Sequence, residues 1–210
     1  MNRLIYFGRW KSVSETSRKI IEGVTELGAE NGMYGMTSKA ISKKCECSEG
    51  VIFKHFNTLE ELKKDVYYSI DSEIYQSISS VEFDESDVKG SILRIWNEYF
   101  GFLLANPVKT KYYKNFRASN LYKDHDHAKD NDHYNTIISE FNEISKKFGL
   151  YEKINYDVLW FFIIDNSLSF ALRIADGSIE NTEKNKQTIF NIIFKQIIDE
   201  LGVAKVGNNG

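Results

Sequence analysis

The sequence predicts an all-α chain: a three-helix helix-turn-helix domain followed by a larger helical domain. Three observations lead there. Apolar residues recur at three- and four-residue spacing, and no stretch alternates with the period of two that a half-buried strand requires. Only one proline interrupts 210 residues, and aromatic residues make up 14% of them, a composition suited to packed helices rather than disorder. Residues 37–62 place two short helices in succession with three residues between them, the length of a helix-turn-helix turn.

The first helix covers about 14–31. Ile20, Ile21, Val24, Leu27 and Gly28 form one stripe along it, and Gly32 and Gly35 supply the left-handed or tight backbone that stops it. The second helix spans about 38–44. The third opens at Ser48, whose side chain can cap free backbone N–H groups. Thr58 and Glu61 have capping-box spacing, so a fourth helix starts near Leu59. Helices of about two turns cannot bury a core alone. Ile41, Cys45, Cys47, Ile52 and Phe56 therefore pack onto the stripe of the first helix. Glu49, Gly50, Val51, Lys54 and His55 then remain outward on the third. An exposed helix start carrying a glycine, a lysine and a histidine suits insertion into a DNA major groove.

Residues 15–70 resemble the DNA-binding part of TetR-type transcriptional regulators. The resemblance is carried by the Thr37 helix start, Ile41, the Ser48-Glu49-Gly50 opening, Val51-Ile52-Phe53-Lys54-His55-Phe56, and Glu60-Glu61-Leu62 after Asn57-Thr58. These match in order, with no insertion, over about a quarter of the chain. Glu46-Cys47 stand where the family usually has Gly-Val, Phe53 and His55 where it usually has tyrosines, and Leu59 where lysine is common. The resemblance implies a homodimeric regulator with a helical ligand-binding and dimerisation domain after the helix-turn-helix. The candidate DNA-contacting residues are Thr37, Ser38, Lys39, Ser48, Glu49, Gly50, Val51, Phe53, Lys54 and His55. Lys39, Lys54 and His55 are expected at phosphates or base edges, and Thr37, Ser48 and Gly50 at hydroxyl or backbone contacts.

The fourth helix continues to about residue 79 through Leu62, Val66, Tyr67, Ile70 and Ile74. An acidic connector at 83–87 follows, and Asp87 can cap a helix running to residue 105. Asn106-Pro107 ends that helix, because proline cannot continue the hydrogen-bond ladder. Tyr112, Tyr113, Phe116 and Leu121 suggest another helix. A polar stretch at 123–132 precedes a helix at 134–148. The last two helices cover about 156–175, stopping at Asp176-Gly177, and 182–201, stopping at Gly202. Both are apolar nearly all round, so one side faces the core and the other needs a partner; a second copy of the chain is the simplest one. The candidate dimer-interface residues are Trp160, Leu168, Leu172, Ile189, Ile193 and Ile197. The TetR resemblance implies the same arrangement, two helices from each subunit. The expected organisation is an N-terminal arm and helix-turn-helix at 1–58, a linking helix at 59–79, and an effector-binding and dimerisation domain at 80–210.

The net charge is −3, with 11 basic and 9 acidic residues in 1–70 against 16 and 21 in the remainder, so the basic end carries the DNA-binding motif. No secretory leader and no span of about eighteen apolar residues is visible, so a cytoplasmic protein without membrane contact is expected. Cys45 and Cys47 are too few for a disulfide framework. They read either as small apolar fillers or, next to Lys43 and Lys44, as a thiol sensor. Trp96, Tyr99, Phe100, Tyr112, Tyr113 and Phe116 are candidates to line a small-molecule cavity; ordinary core packing is the alternative. Asp165 and Asn166 lie inside the most apolar helix and need partners, in the cavity or across the dimer. His125, His127 and His133 stand among aspartates, which suits a metal by ligand type. Their spacing matches no standard site, and a solvated loop is the plainer reading. No phosphate-binding glycine loop, nucleophile elbow or zinc-protease helix is present, so neither a cofactor nor an enzyme is expected. The function that follows is a sequence-specific transcriptional regulator, a repressor in preference to an activator, released from its operator by a small-molecule effector. The alternatives are a helix-turn-helix factor without an effector, or a binding protein or enzyme with an incidental helix-turn-helix.

Overall fold

The structure is a computed structural model that describes residues 14–123, 146 and 156–207. Among the described residues it is all-α, with no strand. The helices are α1 (Glu15–Asn31), α2 (Ser38–Lys44), α3 (Glu49–His55), α4 (Leu59–Ile78), α5 (Val88–Ala105), α6 (Pro107–Arg117), α7 (Asn120–Lys123), α8 (Tyr156–Ala175) and α9 (Glu183–Gly207). The expected helix at 134–148 and the His125, His127, His133 group lie outside the described residues.

The chain forms two compact units. The described part of the first is residues 14–77 and 106–123; that of the second is 78–105, 146 and 156–207. This division cuts the chain differently from the expected one, because nearly all of α4 belongs to the first unit and α6 returns to it. Physical contacts account for the return. Gly28 on α1 has no side chain, and a Cβ there would strike the edge of the Tyr112 ring of α6. Tyr112 is fully buried, and its hydroxyl donates to the Lys63 carbonyl of α4 at 2.8 Å. Asn115 Nδ2 donates to the Gly28 carbonyl at 2.8 Å. Three helices are thereby tied through one tyrosine and one asparagine.

Local signals set most helix ends. Ser14 Oγ accepts from Ser17 N, and Gly32 ends α1 with φ 68°. Gly35 serves a different need: a Cβ there would lie 2.9 Å from the Asn31 carbonyl oxygen. Thr58 Oγ1 accepts from Glu61 N at 3.1 Å at the head of α4. Asp87 Oδ1 accepts from Gly90 N at 3.0 Å and caps α5. Pro107 ends α5 as expected and also starts α6 at its first position, where the missing N–H has no partner to lose.

In the second unit, Trp96 of α5 stacks on Phe100 and tilts against Phe190 of α9, with ring centroids 4.4 and 5.4 Å apart. Its indole N–H donates to Ser167 Oγ of α8 at 3.4 Å. Leu168, Ile189, Ile193 and Ile197 are buried beside them. Gly177 closes α8 with φ 81°. The expected stop at Gly202 is corrected: α9 runs on to Gly207. A helix-interior glycine costs only about 1 kcal/mol relative to alanine, and no proline follows to enforce a stop. The stretch Val158–Ala175 is long and apolar enough, by length and composition alone, to cross a membrane. It differs in this from the expectation that no such span exists. It also carries Asp165, Asn166 and Arg173, and buries Leu159, Ile163, Leu168 and Ala171.

Candidate nucleic-acid interface

The helix-turn-helix is built from two capped helices and one strained residue. Thr37 Oγ1 accepts from Ala40 N at 3.2 Å, and Ser48 Oγ accepts from Val51 N at 3.4 Å. Between the helices, Glu46 adopts φ 52°, the left-handed region. That reversal lets Cys47 N donate to the Ser42 carbonyl at 3.1 Å and Ser42 Oγ donate to the Cys47 carbonyl at 2.5 Å. Ile41 and Ile52 are fully buried and Phe56 nearly so, which seats both short helices on the first unit's core.

Two side-chain bonds fix the angle at which α3 is presented. Ser38 Oγ donates to Glu49 Oε2 at 2.5 Å, joining the first turns of α2 and α3. Ser17 Oγ on α1 bonds His55 Nδ1 at 3.0 Å and Ser14 Oγ at 3.0 Å. Contrary to the outward position that the helix pattern predicts, His55 is half-buried, its ring bonded to α1, and acts as a strut. Neither bond has a local sequence signature, because the partners are 11 and 38 residues apart.

Thr37, Lys39, Ser48, Glu49, Gly50, Phe53 and Lys54 are exposed, and Ser38 and Val51 half-buried. Lys43 is exposed beside them, while Lys44 pairs with Glu26 of α1 at 2.6 Å. The outer face of the motif thus offers cations, hydroxyls, one tethered carboxylate and the Phe53 ring. Such a face suits a polyanion with base edges to read.

Cys45 sits as a small filler between α1 and the turn. Cys45 Sγ points at the Lys19 carbonyl at 3.5 Å and fills the space left by Gly23. Burial pushes its thiol up to about 11, and Lys44 only partly opposes that. It stays protonated at neutral pH, the state of an inert filler.

The six aromatic candidates divide between the two units. Tyr112, Tyr113 and Phe116 belong to the first. There Tyr67 stacks on Tyr113 and Phe116 at 4.6 and 4.5 Å, and Tyr113 donates to Asp71 Oδ1 at 2.7 Å. Trp96, Tyr99 and Phe100 belong to the second. All but the half-buried Tyr99 are buried. The dimer candidates also divide. Leu168, Ile189, Ile193 and Ile197 are consumed by their own chain's core, whereas Trp160 and Leu172 are half-buried. Among the described residues, the most exposed large apolar side chains of α8 and α9 are Val158, Phe161, Phe162 and Ile192, between 46% and 65% exposed. Asp165 is exposed, and Asn166 Nδ2 donates to the Phe162 carbonyl of its own helix at 2.7 Å.

No protein-family model matches the chain. Solved structures do. A TetR family transcription regulator from Marinobacter aquaeolei VT8 aligns with TM-score 0.72 at 16% identity, over 86% of this chain and 94% of its own. A TetR family regulator from Shewanella sp. PV-4 aligns with TM-score 0.71 at 14% identity, over 87% and 98%. A TetR-family transcriptional regulator from Haemophilus influenzae RD aligns with TM-score 0.62 at 14% identity, over 86% and 95%. At these identities the likeness establishes a shared all-α fold with its N-terminal helix-turn-helix.

Proposed function

We propose that the protein is a cytoplasmic, homodimeric transcriptional regulator that binds operator DNA through α2 and α3. We propose further that it represses, and that a small-molecule effector releases it. The observation that supports this best is the outer face of α3. Two capped helices and two side-chain struts hold that face, in a fold shared with solved TetR-family regulators. Lys39 and Lys54 supply the positive charge that phosphate contacts need. Two copies would present two recognition helices to half-sites about one helical turn, roughly 34 Å, apart. Selection from random DNA duplexes tests the reading. A recovered sequence with twofold character is expected, and binding that never exceeds the non-specific level overturns it. Lys54→Ala should cost about 1–3 kcal/mol with relaxed preference at one position if Lys54 reads a base. If it meets only phosphate, the loss is uniform and the salt slope falls by about one.

The second reading, a DNA-binding factor without an effector, is favoured by one observation: five of the six candidate ligand aromatics are buried in packed cores. Thermal shift against a compound library separates the two, since a ligand that binds the folded state raises the midpoint. A compound that binds without changing operator affinity supports neither gating nor release.

A further inference from the structure

Gly50 has no role that the protein itself explains. It lies inside α3, where glycine is a poorer helix former than alanine. Its φ is not positive, unlike those of Gly32 and Gly177. A Cβ at Gly50 would meet only its own cap, Ser48 Oγ, at 3.8 Å, an ordinary contact. By contrast, Gly23 and Gly28 face side chains that a Cβ would strike. The exposed Gly101 of α5 likewise has open space at its Cβ, but the clearance at Gly50 lies on the exposed first turn of α3.

Phe53 and Lys54 lie three and four residues on, on the same helix face. Phe53 is a large apolar ring left 44% exposed beside an exposed lysine. A phenyl ring has no donor for a phosphate, so it adds nothing to charge neutralisation. Among base edges in the major groove, only thymine offers an apolar group, its C5-methyl. The geometry points to a thymine-methyl notch: Gly50 supplies the clearance, Phe53 the apolar wall, and the flanking lysines hold the phosphates that bring the base in. We propose that this notch makes thymine methyl groups a determinant of the site the protein selects. The proposal rests on the DNA-binding reading above and deepens it.

The test uses the full-length protein and the duplex it selects. Each thymine of that duplex is replaced in turn by deoxyuridine, which keeps every hydrogen bond and removes only the methyl. One thymine per half-site should lose about fourfold in affinity, the effect of one methyl-sized group withdrawn from an apolar contact. In Phe53→Ala the same replacement should have no effect. Gly50→Ala should keep or raise the melting temperature while weakening binding to the thymine-containing site. A wild-type protein that selects a sequence yet tolerates deoxyuridine everywhere overturns the notch and leaves the DNA reading standing. So does an undiminished deoxyuridine penalty in Phe53→Ala, or wild-type affinity in Gly50→Ala. Failure to select any sequence overturns both.

Discussion

Glu46 shows how much one residue is asked to absorb. Its φ of 52° costs an L-residue about 1–2 kcal/mol, and it is retained because the turn's two bonds between Ser42 and Cys47 depend on it. Glu46→Gly should stabilise the protein by about 0.5–1 kcal/mol, since glycine's freedom in the unfolded chain offsets part of the relief. A urea midpoint that falls instead rejects this. The caps at Ser48, Thr58 and Asp87 were legible in the sequence, because a cap and its N–H lie three residues apart. The left-handed need at Glu46 was not, since nothing in glutamate announces it; only its place in a three-residue turn does. Cys45 gives a second prediction. A thiol moved from 9.0 to about 11 holds about 100-fold less thiolate at pH 8. Alkylation of Cys45, followed by site-resolved mass spectrometry, should be slower by that factor than for a free thiol and rise tenfold per pH unit. The folded state keeps this proton between pH 9 and 11 while the unfolded chain releases it. Stability should therefore fall as pH rises through that window, and Cys45→Ser should remove that part of the slope.

At the scale of elements, glycines decide where helices touch. Gly28 was legible as part of a stripe but not as a point of contact, because its partner, Tyr112, is far along the chain. Gly28→Ala drives a methyl against the edge of the Tyr112 ring, with Met33 Cε also at 3.0 Å. The bonds from the Tyr112 hydroxyl to the Lys63 carbonyl and from Asn115 to the Gly28 carbonyl limit relaxation, so a loss of about 2–3 kcal/mol is expected, the usual range for overpacking a tight site. Thermal unfolding checks it, and a loss below 0.5 kcal/mol on the same scale would mean that α6 shifts freely. Helix existence was readable from periodicity nearly everywhere the structure describes. Two ends depart from the sequence pattern for opposite reasons. Pro107 stops one helix, and its fixed φ also suits the start of the next. Gly202 does not stop α9, because a single glycine lacks the force to break a helix whose other residues favour it.

At the scale of the whole molecule, the question is which apolar surface remains for a second copy. Periodicity in α8 and α9 revealed an excess of apolar residues but could not sort them, since a helix apolar all round gives no phase. The structure sorts them: Ile193 is 2% exposed, whereas Val158, Phe161 and Phe162 form an exposed stripe at three- and four-residue spacing, with Ile192 outward on α9. The two classes should respond differently to a charge. Ile193→Asp places an unpaired carboxylate in the core and should cost about 3–5 kcal/mol, seen as unfolding or insolubility. Phe161→Asp and Phe162→Asp place the charge at positions about half exposed to solvent. They should keep the far-ultraviolet helical signal and the melting behaviour of an isolated chain, yet sediment as monomers. Because two linked recognition helices bind far more tightly than one, by about 10²–10⁴, those monomers should also lose operator affinity with α2 and α3 untouched. Phe161→Asp and Phe162→Asp proteins that remain dimeric at micromolar concentration would place the partner surface elsewhere. A wild-type chain that is monomeric under the same conditions would remove the twofold operator from the proposed mechanism.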